Sequence, residues 1–133
     1  MKKITLFSSG DLTEGKRGIY KLLLSYQQRT KEYQETLVET TQNRLQLSAL
    51  IKGLSLLQEP CEVTVHTDAP YLVKGVTLWL EKWQKRAFSH VVNQDLWQTY
   101  VDSSQRHTIH MVLMDQETFD QAYCERKVAC KTG

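Results

Sequence analysis

The hydrophobic period of this chain changes twice between residues 40 and 67, and that change narrows the possible folds more than any other feature. Before it, apolar residues alternate with polar ones in three short runs. Ile4 and Leu6 flank Thr5 in the segment Lys3 to Ser8, with Phe7 facing the other way. The segment Gly18 to Gln27 carries "IYKLLLSYQ", and "KEYQETLVE" spans Lys31 to Glu39 with Tyr33 and Leu37 on its inner face. Alternation at period two marks strands, and the short polar connectors suit antiparallel hairpins. In "TTQNRLQLSALIKGLSLLQEP" the spacing becomes helical: Leu47, Leu50, Ile51, Leu54 and Leu57 share a face, Thr40 or Thr41 caps the start, and Pro60 bars continuation. Alternation returns in "CEVTVHTD", where Cys61, Val63 and Val65 oppose Glu62, Thr64 and His66. A helix leading into such a strand implies a parallel crossover back onto the first strand.

Beyond it, "APYLVKGVTLWLEKWQKRAF" reads as two helical pieces meeting near Gly75. A polar loop follows, then a helix starting at Asp95, a strand "HTIHMVLM", and a terminal helix from about Thr118 to Cys130. The order β-β-β-α-β-α-α-β-α predicts an α/β fold, with a five-stranded mixed sheet, its first three strands antiparallel, flanked by helices. A chain of 133 residues suits one domain, 1–133. The net charge of +2 is too small to argue for an anionic partner, so only local clustering can. Cys61, Cys124 and Cys130 have no metal-ligand spacing and cannot all pair. With no signal-peptide pattern and no apolar stretch of about 20 residues, they read as buried or idle thiols of a cytoplasmic protein without a membrane span.

Reacting groups in mixed α/β sheets gather beyond the carboxyl ends of neighbouring parallel strands. Asp68 stands there, just past "VTVHT". It suits either a divalent ion or the N-cap of the helix beginning near Pro70. Ser8-Ser9-Gly10-Asp11 interrupts the first run and makes Asp11 a turn residue beside Gly10.

The blocks "TTQNRLQLSALIKGLSLL", "VTVHTDAPYLVKGVTLWLEKWQKR" and "NQDLWQTYV" together resemble type 1 ribonuclease H. The most specific part is Thr-Asp-x-x-Tyr-x-x-x-Gly-x-x-x-Trp, met by Thr67, Asp68, Tyr71, Gly75 and Trp79. The resemblance implies the ribonuclease H-like fold, and cleavage of the RNA strand of RNA–DNA hybrids by two Mg²⁺ ions held on four carboxylates. Carried over residue by residue, the first-strand aspartate position holds Ser9, and the first-helix glutamate position holds Gln46, which has the shape of Glu without its charge. Asp68 is retained, and the last-helix position falls on Glu125 in "YCERKVA". A hydroxyl and an amide do not replace two carboxylates at a Mg²⁺ site, so Asp68 and Glu125 are catalytic remnants holding one weakly bound ion at most. The family's Gly-His-rich loop after the fifth strand is absent too, since "MVLMDQETFDQ" runs almost directly from strand to helix, and His107 and His110 precede the site.

The surfaces that grip nucleic acid are better kept. "KGVTLWLEKWQKRAFSH" sets Lys74, Lys82, Lys85 and Arg86 against the single acid Glu81, and Trp79 and Trp83 share a face at i, i+4. In the family this is the basic protrusion that holds the DNA strand, and Asn43 and Arg44 match positions that contact the hybrid in its minor groove. The same tryptophans equally suit packing on the helix around Trp97, and an Asn-Arg pair in a first helical turn equally suits local backbone and charge satisfaction. Lys16 and Arg17 add cations where the family's Gly-Asn-Pro-Gly loop is replaced by "DLTEGKRG". The expectation is a ribonuclease H-like protein that binds RNA–DNA hybrid or other nucleic acid and cleaves poorly or not at all, with no cofactor. Two alternatives remain open. One is an active Mg²⁺- or Mn²⁺-dependent hybrid endoribonuclease in which Asp11 reaches back across Gly10. The other is a scaffold with a protein partner, with Met111 and Leu113 offering a changed apolar surface.

Overall fold

A computed structural model of the protein describes residues 1–131, with side chains described through Val128. Five strands form one mixed sheet in the order β3-β2-β1-β4-β5: β1 Lys2–Glu14, β2 Arg17–Tyr26, β3 Arg29–Leu37, β4 Cys61–Thr67 and β5 Thr108–Leu113. The first three are antiparallel, while β4 runs parallel to both β1 and β5. The helices are α1 (Gln42–Ser55), α2 (Pro70–Lys74), α3 (Leu80–Lys85), α4 (Gln94–Ser104) and α5 (Gln116–Lys131). A π-helical turn, Gly75–Trp79, joins α2 to α3. This is the expected ribonuclease H-like architecture. None of the described helices is long and apolar enough to cross a membrane. Cys61 and Cys124 are free thiols, and the side chain of Cys130 lies outside the described residues.

Two layers of unequal size cover the sheet. On one face Leu6, Leu22, Val63 and Val65 pack beneath Leu45, Leu50 and Leu54 of α1 and Trp97 and Tyr100 of α4, and all of them are essentially removed from water. On the other, a small cluster of Phe7, Leu23, Phe119 and Tyr123 seats α5. Thr41, as N-cap of α1, accepts from Arg44 N at 3.2 Å, one of the two residues expected there.

The first strand corrects one expectation. Ser8-Ser9-Gly10-Asp11 does not turn; it continues β1, paired with Leu22, Lys21, Tyr20 and Ile19 of β2. The parallel pairing with β4 ends at Ser8↔Thr67, so the strand beyond that point is held by β2 alone. Gly10 serves close packing rather than a bend. A Cβ there would lie 3.2 Å from Leu45 Cγ, so glycine lets α1 settle on the strand. Asp11 is accordingly a strand residue on the same face as Ser9.

Candidate functional site

Where β1 and β4 diverge, Ser9 Oγ donates to Asp68, 3.1 Å from Oδ1 and 3.2 Å from Oδ2. Asp68 is not the cap of α2: the N-cap is Ala69, without a side-chain hydrogen bond, and Thr67 Oγ1 accepts from Ala69 N. Burial pushes the Asp68 carboxyl above the usual carboxylate range; the Ser9 hydroxyl opposes that shift, and the charges of Asp11 and Asp120 add to it.

Gln46 is buried, and its Nε2 donates to the Gly10 carbonyl at 3.3 Å. Gln42, one turn earlier, donates to the same carbonyl at 2.9 Å and to Asp11 Oδ1 at 3.0 Å, and accepts from Leu12 N at 3.0 Å. Two amides of α1 thus clamp the end of β1. Gln46 acts there as a donor, a role no ionised glutamate can fill.

The structure does not bring Glu125 to Asp68. Glu125 is exposed, accepts from Gln121 Nε2 at 3.0 Å, and lines a separate hollow with Phe7, His66, Met114 and Arg126. The α5 acid that acts on Asp68 is Asp120, five residues earlier and on another face of the helix. Beside it lies Lys21, also unforeseen: it pairs across the sheet with Ser9, and its Nζ is 3.8 Å from Asp120 Oδ1. No group of three or more His, Cys, Asp or Glu side chains among the described residues is arranged to hold a metal. Ser9 and Gln46 are neutral and already engaged with Asp68 and Gly10, so these residues do not fit the two-ion centre that the resemblance implies. His107 and His110 do not reach Asp68: His107 accepts from Cys61 N and His110 meets Glu62 at 3.1 Å, toward the opposite end of β4. The link from β5 to α5 is only Met114 and Asp115, with Asp115 accepting from Thr118 N at 2.7 Å.

The helical segment after Asp68 presents its cations to solvent. Lys74, Lys82, Lys85 and Arg86 are all exposed. Lys85 meets Glu81 at 3.8 Å, but both side chains are more than three-quarters exposed, so the pair neutralises little. Trp79 and Trp83 are half-buried, with ring centroids 5.7 Å apart, and Trp83 stands edge-on to Trp97 at 5.2 Å. Gly75 is needed because Trp97 lies against it: a Cβ would overlap the indole ring. Tyr71 Oη accepts from Trp97 Nε1 at 2.8 Å, which fixes that indole. Within the Thr-Asp-Tyr-Gly-Trp spacing, Tyr71 and Gly75 therefore form the seat for Trp97. Asn43 is exposed, whereas Arg44 forks onto Asp95 at 3.0 and 2.8 Å and onto Asn93 Oδ1 at 3.1 Å. That fork locks α1 to α4 and pulls the Asp95 carboxyl down to about 2.

A mixed sheet in this strand order, with its polar site at the divergence of β1 and β4, defines a ribonuclease H-like α/β protein. Residues 1–114 match the RNase H family profile, and the chain belongs to that family. It is 44% identical over 110 residues to Ribonuclease H of a Sulfurovum species (strain NBC37-1), covering 82% of this chain and 75% of the relative. Among solved structures it resembles LC9-RNase H1, described as a type 1 RNase H with the type 2 active-site motif, with a TM-score of 0.77 at 21% identity. That match covers 86% of this chain and 64% of LC9-RNase H1, so the chain spans less than two-thirds of that structure. LC11-RNase H1, solved in complex with RNA/DNA hybrid, gives a TM-score of 0.69 at 16% identity, covering 89% of each chain.

Proposed function

We propose that this chain binds nucleic-acid duplexes, RNA–DNA hybrid foremost, through its basic helical segment and does not cleave them. The observation that carries this reading is the Ser9–Asp68 contact, in which a hydroxyl donates to the carboxylate at 3.1 and 3.2 Å. Two divalent ions about 4 Å apart need several anionic ligands to offset their mutual repulsion. Around Asp68 the side chains of Ser9 and Gln46 supply no charge, and Gln46 turns its donor toward Gly10. The proposed binding needs no cofactor.

One observation favours a second reading. Asp11 shares the strand face of Ser9, and its charge is felt at Asp68, so a displaced carboxylate pair could hold a single Mg²⁺ or Mn²⁺. Cleavage separates the two. The Sulfurovum relative is named Ribonuclease H and LC11-RNase H1 was solved with a hybrid, which makes a labelled RNA–DNA hybrid the first probe. Incubated with the purified protein in Mg²⁺ and separately in Mn²⁺, the RNA strand is expected to stay intact. Metal-dependent cleavage that disappears in Asp68→Asn establishes the second reading and overturns the first. A chain that binds no duplex even at low salt is instead a protein-interaction scaffold.

A further inference from the structure

We infer that Lys21 is the resident cation of this site, a tethered ammonium that neutralises Asp120 beside Ser9 and closes the site to divalent metal. The inference rests on the non-cleaving reading above and adds a cause to it that lies outside the carboxylate positions.

The strand register puts it there. Lys21 stands directly across from Ser9, and both line one small hollow at the end of the sheet. Its ammonium lies 3.8 Å from Asp120 Oδ1 and is steadied by two rings of α5, 4.8 Å from the Tyr123 centroid and 5.9 Å from Phe119. Tyr123 and Phe119 belong to the buried cluster that seats α5, so the rings beneath the ammonium are fixed, while the Lys21 and Asp120 side chains stay 42% and 51% exposed. Asp120 is also the α5 carboxylate whose charge reaches Asp68. A divalent ion drawing on the Asp120 carboxylate would therefore compete with a like charge already paired to it. The absence of carboxylates at positions 9 and 46 removes ligands; Lys21 adds repulsion. The two effects act independently.

The test compares engineered chains by direct Mn²⁺ titration, calorimetric and by disappearance of the free-ion spin-resonance signal, with circular dichroism to verify folding. Ser9→Asp with Gln46→Glu restores the two acids and is expected to bind Mn²⁺ weakly. Adding Lys21→Met is expected to tighten binding at least tenfold, and Lys21→Arg in its place is expected to leave it weak, because the charge and not the length is what excludes the ion. If Lys21→Met does not fold, Lys21→Gln takes its place in the same comparison. Equal Mn²⁺ affinity with and without Lys21, or no binding in any of these chains, overturns the inference. Failure of the non-cleaving reading shows itself elsewhere, as hybrid cleavage by the unmodified chain.

Discussion

Asp68 is held at an energetic disadvantage. Burial is the largest influence on its carboxyl, the charges of Asp11 and Asp120 add to it, and the Ser9 hydroxyl works against them without prevailing, so its pKa lies above the usual value. A carboxyl whose folded pKa exceeds the unfolded value of about 3.9 favours the folded state while protonated, and that contribution is lost as pH rises through the folded pKa. At neutral pH the ionised group is a liability. Asp68→Asn removes it, and Asn Oδ1 still accepts from Ser9. The variant is expected to melt at a higher temperature than the unmodified chain at pH 7, with the difference closing below about pH 4. A melting temperature that is equal or lower at pH 7, or a gap that ignores pH, contradicts this account. Gln46 shows the converse situation. Its amide satisfies a backbone carbonyl of β1, so whatever its position means for chemistry, it has a structural task of its own.

At the scale of elements, the segment from α2 to α3 is shaped by one contact. The Trp97 indole occupies the space a side chain would need at Gly75, and the π turn begins at that glycine. Gly75→Ala would gain up to about 1 kcal/mol of helix propensity. It would also overpack a fully buried tryptophan, a cost of about 1–3 kcal/mol, and the packing effect wins. The expected result is a net destabilisation of about 1 kcal/mol in a denaturant titration, together with a shift in tryptophan emission. Unchanged stability would mean that the helix yields at no cost. The elements themselves were legible in the sequence because their signals are local: period two, period 3.6, Thr41 before the first helix and Pro60 after it. The end of β1 was not, because Gly10 looks like a turn signal until Leu45 is seen packing on it. At the site, Ser9, Gln46 and Asp68 were found by motif, whereas Lys21 required the β1–β2 register and Asp120 required the seating of α5. The family match stops at residue 114, before α5 begins, so the placement of Glu125 rested on the short stretch "YCERKVA" alone.

Over the whole molecule, charge and chemistry are separated along one helical segment. It starts beside Asp68 and carries Lys82, Lys85 and Arg86 at its far end, from Pro70 to Lys85 a length of roughly 24 Å at 1.5 Å per residue. In the proposed binding mode the carboxylate end repels a phosphate backbone and the far end attracts it, so docking should follow the cations and not the site. Arg44 is committed to Asp95 and Asn93, so on the proposed binding reading the exposed pair Lys85 and Arg86 is the first to test. Replacing Lys85 and Arg86 together by Ala is expected to weaken hybrid binding about tenfold near 50 mM salt, with the difference shrinking as salt rises. Each phosphate left without its cation lowers the slope of log affinity against log salt by about 0.9 on a B-form duplex, so removing two cations should flatten it by nearly 2. Both residues are exposed and neither packs in the core, so the double variant should keep the melting temperature of the unmodified chain. The same salt series with Trp79→Ala separates grip from shape: a half-buried ring that only supports Trp83 changes stability and leaves the slope alone. An unchanged slope in the Lys85, Arg86 variant would move the phosphate-binding surface elsewhere, with Lys16 and Arg17 in the exposed β1–β2 hairpin the next pair to remove.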